Sequence, residues 1–219
     1  MKTSLYHIGR WAVRAFLFLF TRFEVRGKQN VPSMGGVLVS ANHLSLMDPP
    51  VVGVSLGRST VFMAKEELFR SRFGGYFISS FGGFPVHRGR IDRDALRNAE
   101  RALSANQALV MFPEGARATS DGYRPEGFVG AALIADRSSV PVLPVAITGT
   151  EAMTGWSWML RRPRITVNIG RPFELPPTGG RARREQLEEY TQTIMSRIAD
   201  LLPTGYRDNK ARINNDAPH

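Results

Sequence analysis

Asn42-His43-Leu44-Ser45-Leu46-Met47-Asp48-Pro49 places a histidine and an aspartate at the two ends of one short segment that follows an apolar run. A histidine with a carboxylate in reach has one ring nitrogen fixed as a donor. The other is then left to take a proton from a bound hydroxyl. Such a pair is the base and the orienting carboxylate of a catalytic triad with the nucleophile missing. Ser45 does not supply it, because no Gly-x-Ser-x-Gly elbow surrounds it, and it reads as a turn residue. A metal is not expected: the chain has no cysteine, and His7, His87 and His219 show no ligand spacing around His43. Two plainer readings stand beside the catalytic one, a hydrogen-bonded structural histidine and an Asp-Pro that only caps a helix.

The elements that must position this pair follow from periodicity. Residues 36–41 are apolar and β-branched after a Gly-Gly turn, which predicts a buried strand that delivers His43 to its carboxyl end. Inner strands are likewise predicted at 60–64, 84–88 and 108–112. Their ends carry Lys65, Arg88, and Glu114-Gly115-Ala116-Arg117. Helices are expected from Asp48-Pro49 to about Gly57, over 92–105, 128–137 and 181–202, with an edge strand at 23–27 and a final strand at 164–169. Residues 140–147 also read as a strand, but Pro141 and Pro144 place it at a sheet margin. The fold class is therefore α/β: a single domain over 24–203 with a mostly parallel central sheet flanked by helices. Open sheets of this kind gather ligands at the carboxyl ends of their strands. One histidine facing three cations there points to a phosphate on the substrate, with Lys65, Arg88 and Arg117 as contacts and Gly115 letting backbone N–H groups approach an oxyanion or phosphate.

A formal net charge of +10 narrows the partners to polyanions: nucleic acid, an anionic bilayer or phosphorylated substrates. Nucleic acid fits poorly, since the cations sit at strand ends beside a histidine and the most hydrophobic segment would have no role. That segment, 4–23, is interrupted by Arg10, Arg14 and Arg22, so it falls short of the roughly 20 apolar residues that cross a bilayer. No small-x-small cleavage site follows it, which argues against a signal peptide. At helical spacing Thr3, His7, Arg10, Arg14 and Thr21 form one narrow polar stripe, while Trp11, Phe16, Phe18, Leu19, Phe20 and Phe23 cover the rest. Residues 1–23 are thus expected to be an amphipathic helix lying in a membrane interface, arginines toward lipid phosphates; the competing reading is a core helix with a wet edge. Residues 156–162 mix tryptophan and arginine, and read equally as a second membrane contact, a lid or plain packing. The polar tail 204–219 is expected to be disordered.

Four blocks, in this order, resemble the glycerolipid acyltransferases and in particular the bacterial 1-acyl-sn-glycerol-3-phosphate acyltransferases: Asn42-His43-x4-Asp48-Pro49, Gly83-Phe84-Pro85-Val86-x-Arg88, Phe112-Pro113-Glu114-Gly115-Ala116-Arg117, and Val140 to Val145. The resemblance spans about residues 5 to 203. It implies that His43 is the general base, that Asp48 orients it with Asn42 in support, and that Lys65, Arg88, Glu114, Gly115 and Arg117 surround the acceptor's phosphate. The implied reaction moves an acyl group from acyl-CoA or acyl-carrier protein to the sn-2 hydroxyl of 1-acylglycerol-3-phosphate (lysophosphatidic acid), giving phosphatidic acid, with no other cofactor. The implied location is the cytoplasmic face of the cell membrane, peripherally bound. Two alternatives keep the fold: another acceptor, such as glycerol-3-phosphate or another lysophospholipid, or a non-catalytic membrane or lipid-binding protein. Ala116 stands where the family usually has threonine or serine, and Glu126 stands where a basic residue is common.

Overall fold

Val37-Leu38-Val39-Ser40-Ala41 form a strand in which all five residues are buried. A strand apolar on both faces needs a covering layer on each side, and the computed structural model provides both. It describes residues 2–71, 75, 76, 78, 79, 82–86, 92–115 and 127–204. The chain runs through α1 (Lys2–Phe20), β1 (Arg22–Arg26), β2 (Val37–Ala41), α2 (Asp48–Leu56), β3 (Thr60–Lys65), β4 (Gly83–Val86), α3 (Arg93–Ser104), β5 (Ala108–Met111), α4 (Gly130–Ser138), β6 (Val142–Thr148), α5 (Trp158–Arg161), β7 (Arg164–Ile169) and α6 (Arg184–Asp200).

The seven strands form one sheet in the order β1-β7-β6-β2-β5-β3-β4. Every neighbouring pair is parallel except β6 with β7, which are antiparallel. Consequently β1 and β7 run against the other five strands. Alternation along the strands divides the core in two. Val37, Val39, Val110, Leu143 and Val145 face Leu17 of α1, Val51 and Val52 of α2, and Trp158 of α5. Leu38, Leu109 and Val142 face Leu103 of α3, Ala131 and Ile134 of α4, and Tyr190, Ile194 and Ile198 of α6. The protein is thus an α/β domain of three layers, as its periodicity implies.

Three expectations are corrected. β6 lies third in the sheet with all seven residues buried, not at a margin. Pro141 precedes the strand. Pro144 falls where β7 has stopped: the antiparallel ladder begins at Val145 opposite Ile169, and the Pro144 carbonyl accepts the Gly170 N–H at 2.9 Å. The ring therefore removes only the return bond of the pair that closes the ladder. β4 is the outermost strand rather than an inner one. The N-terminal helix ends at Phe20, and Phe23 already belongs to β1.

Helix α1 carries two apolar faces. Val13, Phe16, Leu17 and Phe20 pack on the core, whereas Ile8, Trp11, Phe18 and Leu19 are exposed. Arg10 turns inward, its Nη1 donating to the Arg58 carbonyl at 3.0 Å, so it is not displayed as a polar stripe would require. Among the described residues no helix is long and apolar enough to cross a membrane.

Candidate active site

The connection leaving β2 runs through α2 on one face of the sheet, and the one leaving β5 runs through α4 on the other. A crevice opens between such diverging connections, at the carboxyl ends of the strands. His43, two residues past β2, sits there and is largely buried. Its ring stacks on Phe112 with centroids 4.3 Å apart and planes 24° from parallel. Its Nδ1 lies 2.8 Å from Asp48 Oδ2. A carboxylate oxygen accepts and does not donate, so Nδ1 carries the hydrogen and Nε2 is the nitrogen left to accept a proton.

Asp48 is fully buried, and the reason its side chain reaches His43 lies in the residues after it. As an expected N-cap it would spend its oxygens on the first N–H groups of α2. Instead Asp48 is the first helical residue and makes no cap bond to the helix. Pro49 and Pro50 have no N–H, Asp48 N donates to Ser45 O at 3.1 Å, and Val51 N already donates to Met47 O at 3.0 Å. With no helical donor left to satisfy, the carboxylate turns back to the preceding loop. Oδ2 accepts from Leu44 N at 2.6 Å and Ser45 N at 2.7 Å in addition to His43. Ser45 Oγ accepts from Met47 N at 3.3 Å, which is the turn role its sequence context implied.

The ends of two further strands, β5 and β6, hold this loop. Asn42 makes a two-way pair with the backbone of Ile147 in β6, donating through Nδ2 to its carbonyl at 2.9 Å and accepting its N–H on Oδ1 at 2.7 Å. The side-chain amide thereby continues the β2–β6 ladder one residue beyond the strand. Glu114 is completely buried after β5, and its Oε2 accepts the backbone N–H of His43 at 3.3 Å. Thr150, buried in the turn after β6, donates its hydroxyl to Asp48 Oδ1 at 2.6 Å. Thr150 and Phe112 are absent from the sequence-derived site. The signal for Thr150 was its position just past a core strand, hidden when two prolines assigned that strand to the margin.

The structure therefore gathers Asn42, His43, Asp48 and Glu114 into one bonded cluster. Gly115 adjoins it with φ of 71°, and a Cβ there would stand 2.2 Å from the Phe128 ring. Its own N–H donates to Phe112 O at 3.0 Å, closing a turn rather than facing an oxyanion. Lys65 ends β3 on the same sheet edge but is half exposed and paired with Glu67 at 3.1 Å. A backbone hydrogen bond, and after it Lys65, hold the Glu67 carboxyl below its ordinary value. Arg88, Arg117, Ala116, Glu126 and residues 205–219 lie outside the described residues.

Known proteins resemble this chain in sequence, and a solved structure resembles it in fold. The 1-acyl-sn-glycerol-3-phosphate acyltransferase of Streptococcus pneumoniae is 30% identical over 163 residues, which are 74% of this chain and 57% of that protein. The chain thus spans little more than half of that relative. The enzyme of the same name from Bacillus subtilis is 25% identical over 191 residues, 87% of this chain and 93% of that one. The crystal structure of the 1-acyl-sn-glycerophosphate (LPA) acyltransferase PlsC from Thermotoga maritima matches with a TM-score of 0.63 at 28% identity, covering 91% of this chain and 79% of that chain. The acyltransferase family profile matches residues 22–148. Since that match runs from β1 through His43, Asp48 and Glu114 to the end of β6, the chain belongs to the acyltransferase family.

Proposed function

We propose that this protein acylates the sn-2 hydroxyl of 1-acylglycerol-3-phosphate, taking the acyl group from acyl-CoA or acyl-carrier protein and releasing phosphatidic acid and a free thiol. The observation that carries the proposal is the buried His43–Asp48 pair at 2.8 Å, with Nδ1 committed and Nε2 left to accept. The names of the relatives supply the acceptor. In this reading His43 Nε2 takes the hydroxyl proton as the oxygen attacks the thioester carbonyl. The tetrahedral intermediate collapses, the C–S bond breaks, and the imidazolium returns the proton to the departing sulfur. No acyl-enzyme forms and no cofactor is required, because the thioester is already activated. General base action is worth about 10²–10⁴-fold. Holding both substrates in place contributes more.

Lys65, Arg88 and Arg117 are assigned to the acceptor's phosphate, Lys65 by exchanging its exposed partner Glu67 for the substrate. Glu114 serves the base: a carboxylate would repel a phosphate, while its contact with His43 N fixes the loop. In this reading the enzyme sits peripherally on the cytoplasmic face of the membrane, where a one-tailed acceptor and a two-tailed product reside; the apolar residues exposed on α1 support the peripheral contact. The test is a donor-and-acceptor matrix on the purified protein with His43→Ala alongside. Phosphatidic acid should form from lysophosphatidic acid, and the alanine variant should lose about 10²–10⁴-fold in turnover while staying folded. Consumption of glycerol-3-phosphate or another lysophospholipid in its place would reassign the acceptor. An unaffected His43→Ala variant would leave a lipid-binding protein.

A further inference from the structure

Two segments distant in sequence meet at the edge of the sheet where His43 lies. Because β1 and β7 run against β2 and β6, the chain enters β1 from α1, and β7 from α5, at the same edge where β2 and β6 end in His43 and Thr150. Phe16 of α1 meets Trp158 of α5 edge to face with centroids 5.7 Å apart. Arg162 Nη2 donates to the Phe18 carbonyl at 3.3 Å, and Arg22 N donates to Pro163 O at 2.9 Å. Trp158 is the buried anchor of this junction. On either side of it in the chain Trp156 and Leu160 are 73% and 79% exposed, and on the adjoining helix Phe18 and Leu19 are 79% and 62% exposed. Water-exposed aromatic and aliphatic side chains of this size in one region mark a surface that meets an apolar phase.

The charge around it is predominantly positive: Arg14 and Arg22 on the first segment and Arg161, Arg162 and Arg164 on the second, against Glu24, which sits beside Arg164, and Glu151. A second copy of this chain docking face to face would set arginines against arginines. An anionic bilayer instead offers acyl chains to the apolar residues and phosphates to the arginines, and amphipathic tryptophan favours that boundary. We propose that the outer face of α1 and residues 156–162 form one docking rim for a lipid surface rich in anionic head groups, so that the His43 crevice opens at the lipid boundary. This deepens the peripheral membrane reading above: residues 156–162 are a second anchor, not a lid, and two anchors fix the orientation of the crevice where one helix would leave it free to roll.

The experiment uses the full chain and vesicles of phosphatidylcholine with phosphatidylglycerol. Trp156→Ser with Leu160→Ser should lower co-sedimentation about tenfold. Turnover of an acceptor embedded in vesicles should fall in step, and turnover of the same acceptor in detergent micelles should be retained. Arg161→Glu should weaken sedimentation with these vesicles and leave the weaker binding to pure phosphatidylcholine vesicles unchanged. Parental sedimentation by the Trp156/Leu160 variant overturns the second anchor. Equal loss of turnover in vesicles and micelles with sedimentation retained overturns it too, in favour of a lid. A parent protein that transfers no acyl group, but loses vesicle binding on these substitutions, leaves the docking rim standing and removes the proposed function.

Discussion

Replacing Asp48 by asparagine separates charge from geometry at the proposed base. The carboxylate has two sides: Oδ2 accepts from His43 Nδ1, Leu44 N and Ser45 N, and Oδ1 accepts from the Thr150 hydroxyl. An asparagine can keep its carbonyl oxygen at the three-donor position and turn its amide nitrogen to Thr150, because a hydroxyl accepts as readily as it donates. Each hydrogen bond then has a counterpart, and the histidine keeps the same hydrogen on Nδ1. What disappears is the negative charge beside the imidazolium that the proposed mechanism forms at His43. With charge centres about 4 Å apart and an effective dielectric of about 20, that attraction is about 4 kcal/mol, or about 2 kcal/mol for a half-transferred proton in the transition state. Turnover should fall by about 30- to 1,000-fold. The unfolding midpoint should stay within about 3 °C of the parent, the equivalent of roughly 1 kcal/mol for a chain of this size. The assay is thiol release at saturating donor and acceptor, with thermal unfolding followed by circular dichroism. An asparagine variant within about threefold of parental turnover would show that charge at Asp48 contributes nothing and would refute the dyad as the base. A collapse of the midpoint would refute the premise that the bonding pattern survives.

Thr150→Val is nearly isosteric and removes one donor to a buried carboxylate. The bond is worth about 1.5–3 kcal/mol. Calorimetry should therefore show a midpoint lower by roughly 3–12 °C. Turnover should fall with the acceptor KM unchanged and return with Thr150→Ser, a pattern that a purely structural role would not give. Gly115→Ala forces a Cβ into a left-handed residue and toward the Phe128 ring. Urea unfolding should register a loss of about 2–4 kcal/mol, with only part recovered by adding Phe128→Ala, since that change relieves the contact and leaves the backbone strain.

Most of the layered fold was legible because each element carries its own period. Asp92 shows how local that information is: it caps α3 by accepting from Asp94 N at 3.1 Å and Ala95 N at 3.0 Å, all within four residues. The edge position of β1 followed from its alternation, and the burial of β2 from its lack of any. The order of the strands was not legible. Whether a proline is tolerated in β6 depends on where β7 stops, and β7 lies some twenty residues further on, beyond any window in which periodicity operates. The two faces of α1 were hidden for a related reason. A helix apolar almost all round does not announce which side the domain will cover, and only the packing of Leu17 and Phe16 against the sheet identifies the side left over.

The site divides along the same line. His43 and Asp48 are five residues apart, so their meeting is a property of one turn and can be read from spacing. The groups that hold them are 71, 102 and 105 residues away in sequence: Glu114 from His43, Thr150 from Asp48, and Ile147 from Asn42. Yet each lies at or just past the end of β5 or β6, the two strands that flank β2. His43 is thus fixed by its two neighbouring strands, through its own backbone N–H, the far oxygen of Asp48 and the side-chain amide of Asn42. That arrangement gives a reason for placing the dyad on the middle strand of the three. A histidine at the end of an edge strand would have one flank from which to be held, whereas here a shift of the His43 loop in either direction breaks a bond to β5 or to β6.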